Sequence, residues 1–185
     1  MAWIQTISEE EATGKVKEQF EEAKRRAGWV WNVIKVSSIK PELMWASMAV
    51  YLATVQRPSG LSRDQKEMIA TVVSNMNECH YCTEAHAYDL HHQGKMDLPM
   101  VESLKRDYRT ANIDEKTKAM LEFSEKLTRT PNRMRKEDVE GLRKAGLSDE
   151  DILETVHIAA MFNYLNRVVE SLGVDLEDFM PPSGA

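Results

Sequence analysis

Both cysteines of the chain, Cys79 and Cys82, and four of its five histidines fall in the stretch "NECHYCTEAHAYDLHH". Residues three and four apart share a face of a helix, so Cys79, Cys82 and His86 line up over two turns. His80 points elsewhere on that helix, and His91 and His92 read as residues of its solvated end. A thiol reacts as thiolate, and a helix N-terminus favours that form. Asn77 as N-cap places the cysteines there. His86, one turn after Cys82, supplies an imidazole that can take or return a proton near neutral pH. Together these groups suit thiol redox chemistry: one sulfur attacks, becomes a sulfenic acid, and the neighbouring thiol condenses with it. Glu67, on the helix before the cluster, sits at the edge of the stripe Ile69, Val72, Val73 and Met76. Two readings stay open for it, a solvated surface acid or a buried one that needs a partner such as His86.

The elements that must hold these residues read as helices throughout. Ser8 with Glu11 forms a capping box ahead of Ala12, Val16, Phe20 and Ala23, and Gly28 ends the run. Pro41 opens a helix carrying Met44, Met48, Tyr51, Leu52 and Val55. After "RPSG", Ser62 and Gln65 open the helix of Glu67. The cysteine helix is expected from Cys79 to Gln93, stopped by Gly94. Further helices follow from Pro99 to about Arg109, after Asp114 to about Thr128, from Lys136 to Ala145, and from Ser148 to Leu172. Strand-like alternation appears only in "VWNVIKV", which is short. The fold class is all-α, a single helical domain over 1–185.

A weak internal repeat lies within this pattern. "GLSRDQ" at Gly60 and "GLSDED" at Gly146 both start a helix, and an Asn follows each Ser at the same distance (Asn77 after Ser62, Asn163 after Ser148). The same offset sets Glu67, Cys79, Cys82 and His86 against Leu153, Leu165, Val168 and Leu172. The second copy thus has apolar residues wherever the first has reactive ones. His157, among Val156, Ala159 and Ala160, reads as a hydrogen-bonded core histidine.

With 185 residues, 42% hydrophobic and 29% charged, the chain has the composition of an ordinary globular domain. A net charge of −6 argues against a nucleic-acid partner. No apolar run reaches the roughly 18–20 residues of a membrane span. The N-terminus turns acidic by Glu9, unlike a secretory signal. A cytoplasmic, reducing compartment is expected, where a lone cysteine pair is catalytic or metal-binding more often than a staple.

The run "RDQKEMIATVVSNMNECHYCTEAHAYDL" resembles the core of the alkylhydroperoxidase D (AhpD)-like family, in the peroxidase-related branch of the carboxymuconolactone decarboxylase superfamily. That signature is a Glu, eleven residues, Cys-x-x-Cys, three residues and a His, matched by Glu67, Cys79, Cys82 and His86. The flanks from "SSIKPELM" to "VHIAAMFNYLNRVVESLGV" extend the resemblance over about 34–174. It implies an all-helical, homo-oligomeric subunit (trimer or hexamer) and a disulfide-cycling peroxidase without a bound cofactor or metal. By position, Cys82 is the peroxidatic cysteine, Cys79 the resolving thiol, and Glu67 with His86 the proton relay. The partners implied are a hydroperoxide substrate and an external dithiol reductant of dihydrolipoyl type. The best-known members carry a second His directly before the second cysteine. This chain has Tyr81 there, with His80 one place earlier, so these two are candidates for relay or positioning. Met44, Met48, Trp45 and Tyr51 are candidates for an apolar mouth.

Two other classes of function fit the same residues. One is a redox sensor or general disulfide oxidoreductase with little peroxidase turnover. The other is a non-catalytic helical oligomer with a structural metal on Cys79, Cys82, His86 and either Glu67 or His80. A disulfide between two fully helical cysteines is strained, which suits a bond reopened at each turnover.

Overall fold

Helix α4, Arg63–Met76, is the axis of the domain, and nine of its residues, from Lys66 to Ser74, are buried on all sides. The structure is a computed structural model that describes residues 2–180. Around α4 pack α5 (His80–His92), α6 (Leu98–Asp107), α7 (Glu115–Arg129) and α9 (Asp149–Leu172). Outside them lie α1 (Gly14–Ala27), the short α2 (Asn32–Lys35), α3 (Pro41–Tyr51) and α8 (Lys136–Lys144). No strand occurs among the described residues, and no helix is long and apolar enough to cross a membrane.

The predicted starts and stops mostly recur, with instructive exceptions. Ser62–Gln65 and Ser148–Asp151 form reciprocal capping boxes for α4 and α9, and Asp114 caps α7 by accepting from Thr117 N–H. Ser8 and Glu11 do bond to each other, but in a turn, because α1 begins only at Gly14. The segment "VWNVIKV" forms α2, not a strand. α5 ends at His92, and the left-handed residue beyond it is Lys95, at φ 57°. Gly94 is needed for closeness instead, since a Cβ there would run into the Asp64 carboxylate. His157 is exposed on α9 rather than in the core, because Ile158, Ala159 and Phe162 take the inward face.

Three apolar clusters result. The main one surrounds α4, with Ile69, Val73, Leu90, Leu121, Ile158 and Phe162 at its centre. A second joins α1, α2 and α3 through Phe20, Ile34, Met44 and Met48. A third contains Cys79, Tyr81, Cys82 and Ala85 of the α5 start, Val169 of α9 and Met180 of the C-terminal segment.

Asn77 does not cap α5. It ends α4, its N–H donating to Val73 C=O, and the chain turns through Glu78 in the left-handed region. Its side-chain amide donates to Asn163 Oδ1 at 3.1 Å and Asn166 Oδ1 at 2.9 Å. The two asparagines of the sequence repeat thus meet where α4 crosses α9. Asn166 in turn donates to Ser74 Oγ at 2.9 Å. Lys66, 2% exposed, makes a second tie to α9 through Glu154 at 2.8 Å and also donates to Arg57 C=O at 2.7 Å. Asn166→Ala strands a buried donor–acceptor set and is expected to cost about 1–3 kcal/mol, read from the urea midpoint at unchanged slope. A loss within about 0.5 kcal/mol of wild type means the corner is held by packing alone.

Candidate active site

Cys79 is itself the N-cap of α5, with extended backbone (φ −82°, ψ 95°), and is wholly buried. Cys82 follows in the first turn at 3% exposure, and both are free thiols. Because Cys79 lies outside the helix, its sulfur is not bound to helical register, so the strain expected of an intrahelical pair does not apply. The first-turn position is also not enough to favour thiolate. The hydrogen bond with the Cys79 thiol, and then burial, push the Cys82 thiol well above its ordinary range, with Asn166 opposing. Cys82 therefore needs a base.

His86, the candidate base, is held from α4. Glu67, 1% exposed, sets Oε2 2.5 Å from His86 Nδ1. Its other oxygen, Oε1, lies 2.5 Å from Arg63 Nη2, one turn earlier on α4. Burial pushes the Glu67 carboxyl up, but His86 and Arg63 together hold it below the ordinary range. The carboxylate is thus ionised and fixes the ring. With Nδ1 engaged by Glu67, Nε2 is the ring nitrogen outside that bond, and His86 shares a cavity with Cys82. Phe162 of α9 packs edge-on against the ring, centroids 4.5 Å apart.

A cavity of about 80 Å³ opens onto this pair. Cys82, His86 and Asp89 line it from α5, and Met44, Met48 and Tyr51 from α3. Its volume admits several water-sized groups. Cys79 does not line it. Trp45, expected at this mouth, turns away and donates its ring N–H to Lys15 C=O of α1.

Tyr81 is buried, and its hydroxyl donates to Glu177 Oε1 at 2.8 Å while accepting from Val33 N–H at 3.2 Å. Asn32 N–H donates to the same Glu177 oxygen at 2.7 Å. Burial, then the Glu177 charge, raise the Tyr81 phenol well above its ordinary range. It braces the C-terminal segment against α2 and is a poor proton carrier. His80 is exposed and does not line the cavity. The sequence reading missed Arg63, Asp89 and Glu177. Helical spacing points to the first two, four residues before Glu67 and three after His86. Nothing local points to Glu177, which comes from the far end of the chain.

The zinc set of two cysteines and His86 is not assembled. Among the described residues, the group of three that approaches metal-ligand geometry is Glu67, His86 and Asp89, with polar atoms within 4.8 Å. The Arg63 guanidinium already faces both of its carboxylates. A cation there has to compete with a fixed positive charge.

Comparisons with known proteins agree with this architecture. The carboxymuconolactone decarboxylase family matches residues 41–124, from α3 through α7. A peroxidase-related protein of uncharacterized function from Silicibacter sp. TM1040 is 31% identical, with TM-score 0.83 over 95% of this chain and 89% of that one. The alkylhydroperoxidase AhpD core protein from Ralstonia eutropha JMP134, also peroxidase-related and uncharacterized, is 27% identical, with TM-score 0.89 over 96% and 93%. The debrominase Bmp8, in complex with 2,3,4-tribromopyrrole, superposes with TM-score 0.81 over 95% and 91% at 19% identity, a likeness of fold. A search of curated protein sequences gives no match. With the Glu67, Cys79, Cys82 and His86 pattern in place and a relative so similar over nearly its whole length, the chain belongs to the carboxymuconolactone decarboxylase family as an AhpD-like member.

Proposed function

We propose that the protein is a thiol-dependent hydroperoxidase that cycles a Cys79–Cys82 disulfide. The observation that carries this reading is the sharing of one largely apolar cavity by Cys82 and His86, with His86 backed by the ionised Glu67. A buried thiol next to a fixed base and an apolar opening suits an organic hydroperoxide that brings its O–O bond to the sulfur.

The steps balance without a cofactor. Cys82 S–H gives its proton to His86, and the thiolate attacks an oxygen of the hydroperoxide. The O–O bond breaks, Cys82 becomes the sulfenic acid, and the leaving alkoxide takes the proton from His86 and departs as alcohol. The Cys79 thiol then condenses with the sulfenic acid, forming the disulfide and releasing water. An external dithiol, of dihydrolipoyl type by family resemblance, reduces the disulfide and is itself oxidised. Assembly as a homo-oligomer belongs to the same proposal. A redox sensor uses these groups equally well, so turnover is what separates the two.

The test is consumption of cumene, tert-butyl and hydrogen peroxides with dithiothreitol or dihydrolipoamide as reductant. A halogenated pyrrole serves as control substrate, given the debrominase of the same fold. Wild type is expected to prefer the organic peroxides, and its oxidised form to weigh about two mass units less than the reduced. Cys82→Ser should lose both properties, while Cys79→Ser should stop at a sulfenic acid that dimedone traps. A wild type that closes its disulfide with diamide yet consumes none of the hydroperoxides defeats the peroxidase reading in favour of the sensor.

Glu67→Gln keeps the shape of the carboxyl but removes the charge that fixes His86. It is expected to slow peroxide consumption about 10²–10³-fold at neutral pH, with the cysteines still able to form the disulfide with diamide. A rate within a factor of about three of wild type refutes the relay.

A further inference from the structure

Asp89 has no assigned part in this chemistry, yet the site is built around it. It lies three residues after His86 on α5, is 5% exposed and lines the cavity that Glu67 does not reach. Its Oδ2 is 3.7 Å from Arg63 Nη2, the nitrogen that also pairs with Glu67. Its Oδ1 accepts from Gln93 Nε2 at 2.7 Å. The polar atoms of Glu67, His86 and Asp89 are mutually within 4.8 Å. From α4 the facing charges are Arg63 and Glu67, with Asp64 acting on both. From the end of α3 comes Tyr51, whose hydroxyl accepts from Gln56 and Arg63. From α9 come Phe162, against the His86 ring, and Tyr164 on the cavity wall.

The geometry shows what Asp89 does. When His86 takes the proton of Cys82, the new imidazolium lies beside the Arg63 guanidinium, and the carboxylates of Glu67 and Asp89 are the anions next to these two cations. Without Asp89 a single carboxylate faces both cations in a low-dielectric surrounding, so the ring holds the proton less well. We propose that Asp89 is a positioning residue of the relay, a second carboxylate that balances Arg63 so that His86 can hold the proton of Cys82 while the thiolate attacks. The placement at the cavity wall gives this balance a pH limit. Burial, then the Glu67 charge, raise Asp89 from 3.8 to about 6. Below that value Asp89 is neutral and its support is lost, so the thiolate becomes scarce on the acid side.

The proposal rests on the thiol-peroxidase reading only in naming the reaction served, because its test reads Cys82 directly. The measurement is the rate of Cys82 alkylation by iodoacetamide, with thiolate absorbance, from pH 5 to 10 in a Cys79→Ser background. Asp89→Asn, nearly the same shape without the charge, is expected to move the profile about one unit to the alkaline side. The rate at pH 7 then falls about tenfold. Asp89→Glu, which keeps the charge, should retain the wild-type profile. Gln93→Leu, at the exposed end of α5, removes the donor that favours ionised Asp89 and should shift the profile the same way by less.

Stability separates this from a structural role. Between pH 4 and 6 the unfolded chain has released the Asp89 proton that the folded chain keeps, so wild type loses stability as pH rises through that window. Asp89→Asn should therefore melt higher than wild type at pH 8, with the gain closing toward pH 4, even as Cys82 reacts more slowly. An unmoved alkylation profile in Asp89→Asn, or in Gln93→Leu should Asp89→Asn fail to fold, overturns the proposal. If wild type consumes no hydroperoxide, these profiles still decide it.

Discussion

The domain is organised around one costly fact, a carboxylate in the middle of its central helix. Glu67 sits on the buried stretch of α4, and an unpaired charge there costs several kcal/mol after relaxation. Two unit charges at about 4 Å return about 4 kcal/mol at an effective dielectric of about 20. One ion pair is therefore marginal, and a further hydrogen bond to the carboxylate tips the balance. Arg63 supplies the charge from the same helix and His86 the hydrogen bond from α5. Because α4 packs against α5, α6, α7 and α9, the pairing fixes more than a side chain. It sets the rotation of α5 against α4, and with it the direction in which Cys82 faces. The geometry of the candidate site and core stability are here the same constraint.

The corner between α4 and α5 has to deliver that rotation within three residues. Asn77 ends one helix, Glu78 turns left-handed, and Cys79 caps the next, its N–H returning to Ser74 C=O at 2.9 Å. Using a cysteine as cap gives up the side-chain hydrogen bond that Ser or Asp supplies, worth about 1 kcal/mol. The asparagine cluster with α9 offsets this by satisfying buried amides across the crossing. What the cap position gains is a sulfur free of helical register beside one locked within it. That asymmetry suits two thiols that must meet.

How much of this was legible in the sequence follows from how local each signal is. Helix periodicity and the Ser62 and Ser148 caps are carried by neighbours within a few residues, and they could be read. Glu67 and His86 are 19 residues apart, and their pairing was implied by the resemblance of the motif rather than by local spacing. The Asn repeat was also visible, yet its meaning was not, since an offset along the chain does not say that Asn77 and Asn163 touch. Asn77 was misread as an N-cap because Asn suits both ends of a helix, and only the left-handed Glu78 decides between them. Arg63 and Asp89 stood at helical spacing from residues already singled out. They were passed over because surface acids and bases at that spacing are common. Glu177 was beyond reach altogether. Its carboxylate meets Tyr81 across 96 residues, and no periodicity encodes such a contact.

The Tyr81–Glu177 contact also bears on why a tyrosine stands between these cysteines. A histidine there can shuttle protons, but its ring nitrogen cannot reproduce the arrangement found, a hydroxyl that donates to one group and accepts from another. Tyr81 uses both capacities, accepting from α2 and donating to the C-terminal segment. Met180 of that segment belongs to the same apolar cluster as the two cysteines. The residue thus lines the cavity with its ring while its hydroxyl ties α2 to the C-terminal segment, and the proposed relay is left to a single histidine. With one histidine in place of two, the charge environment of that ring carries more of the work. A second carboxylate beside it is the economical remedy, and α5 already presents one at the right turn.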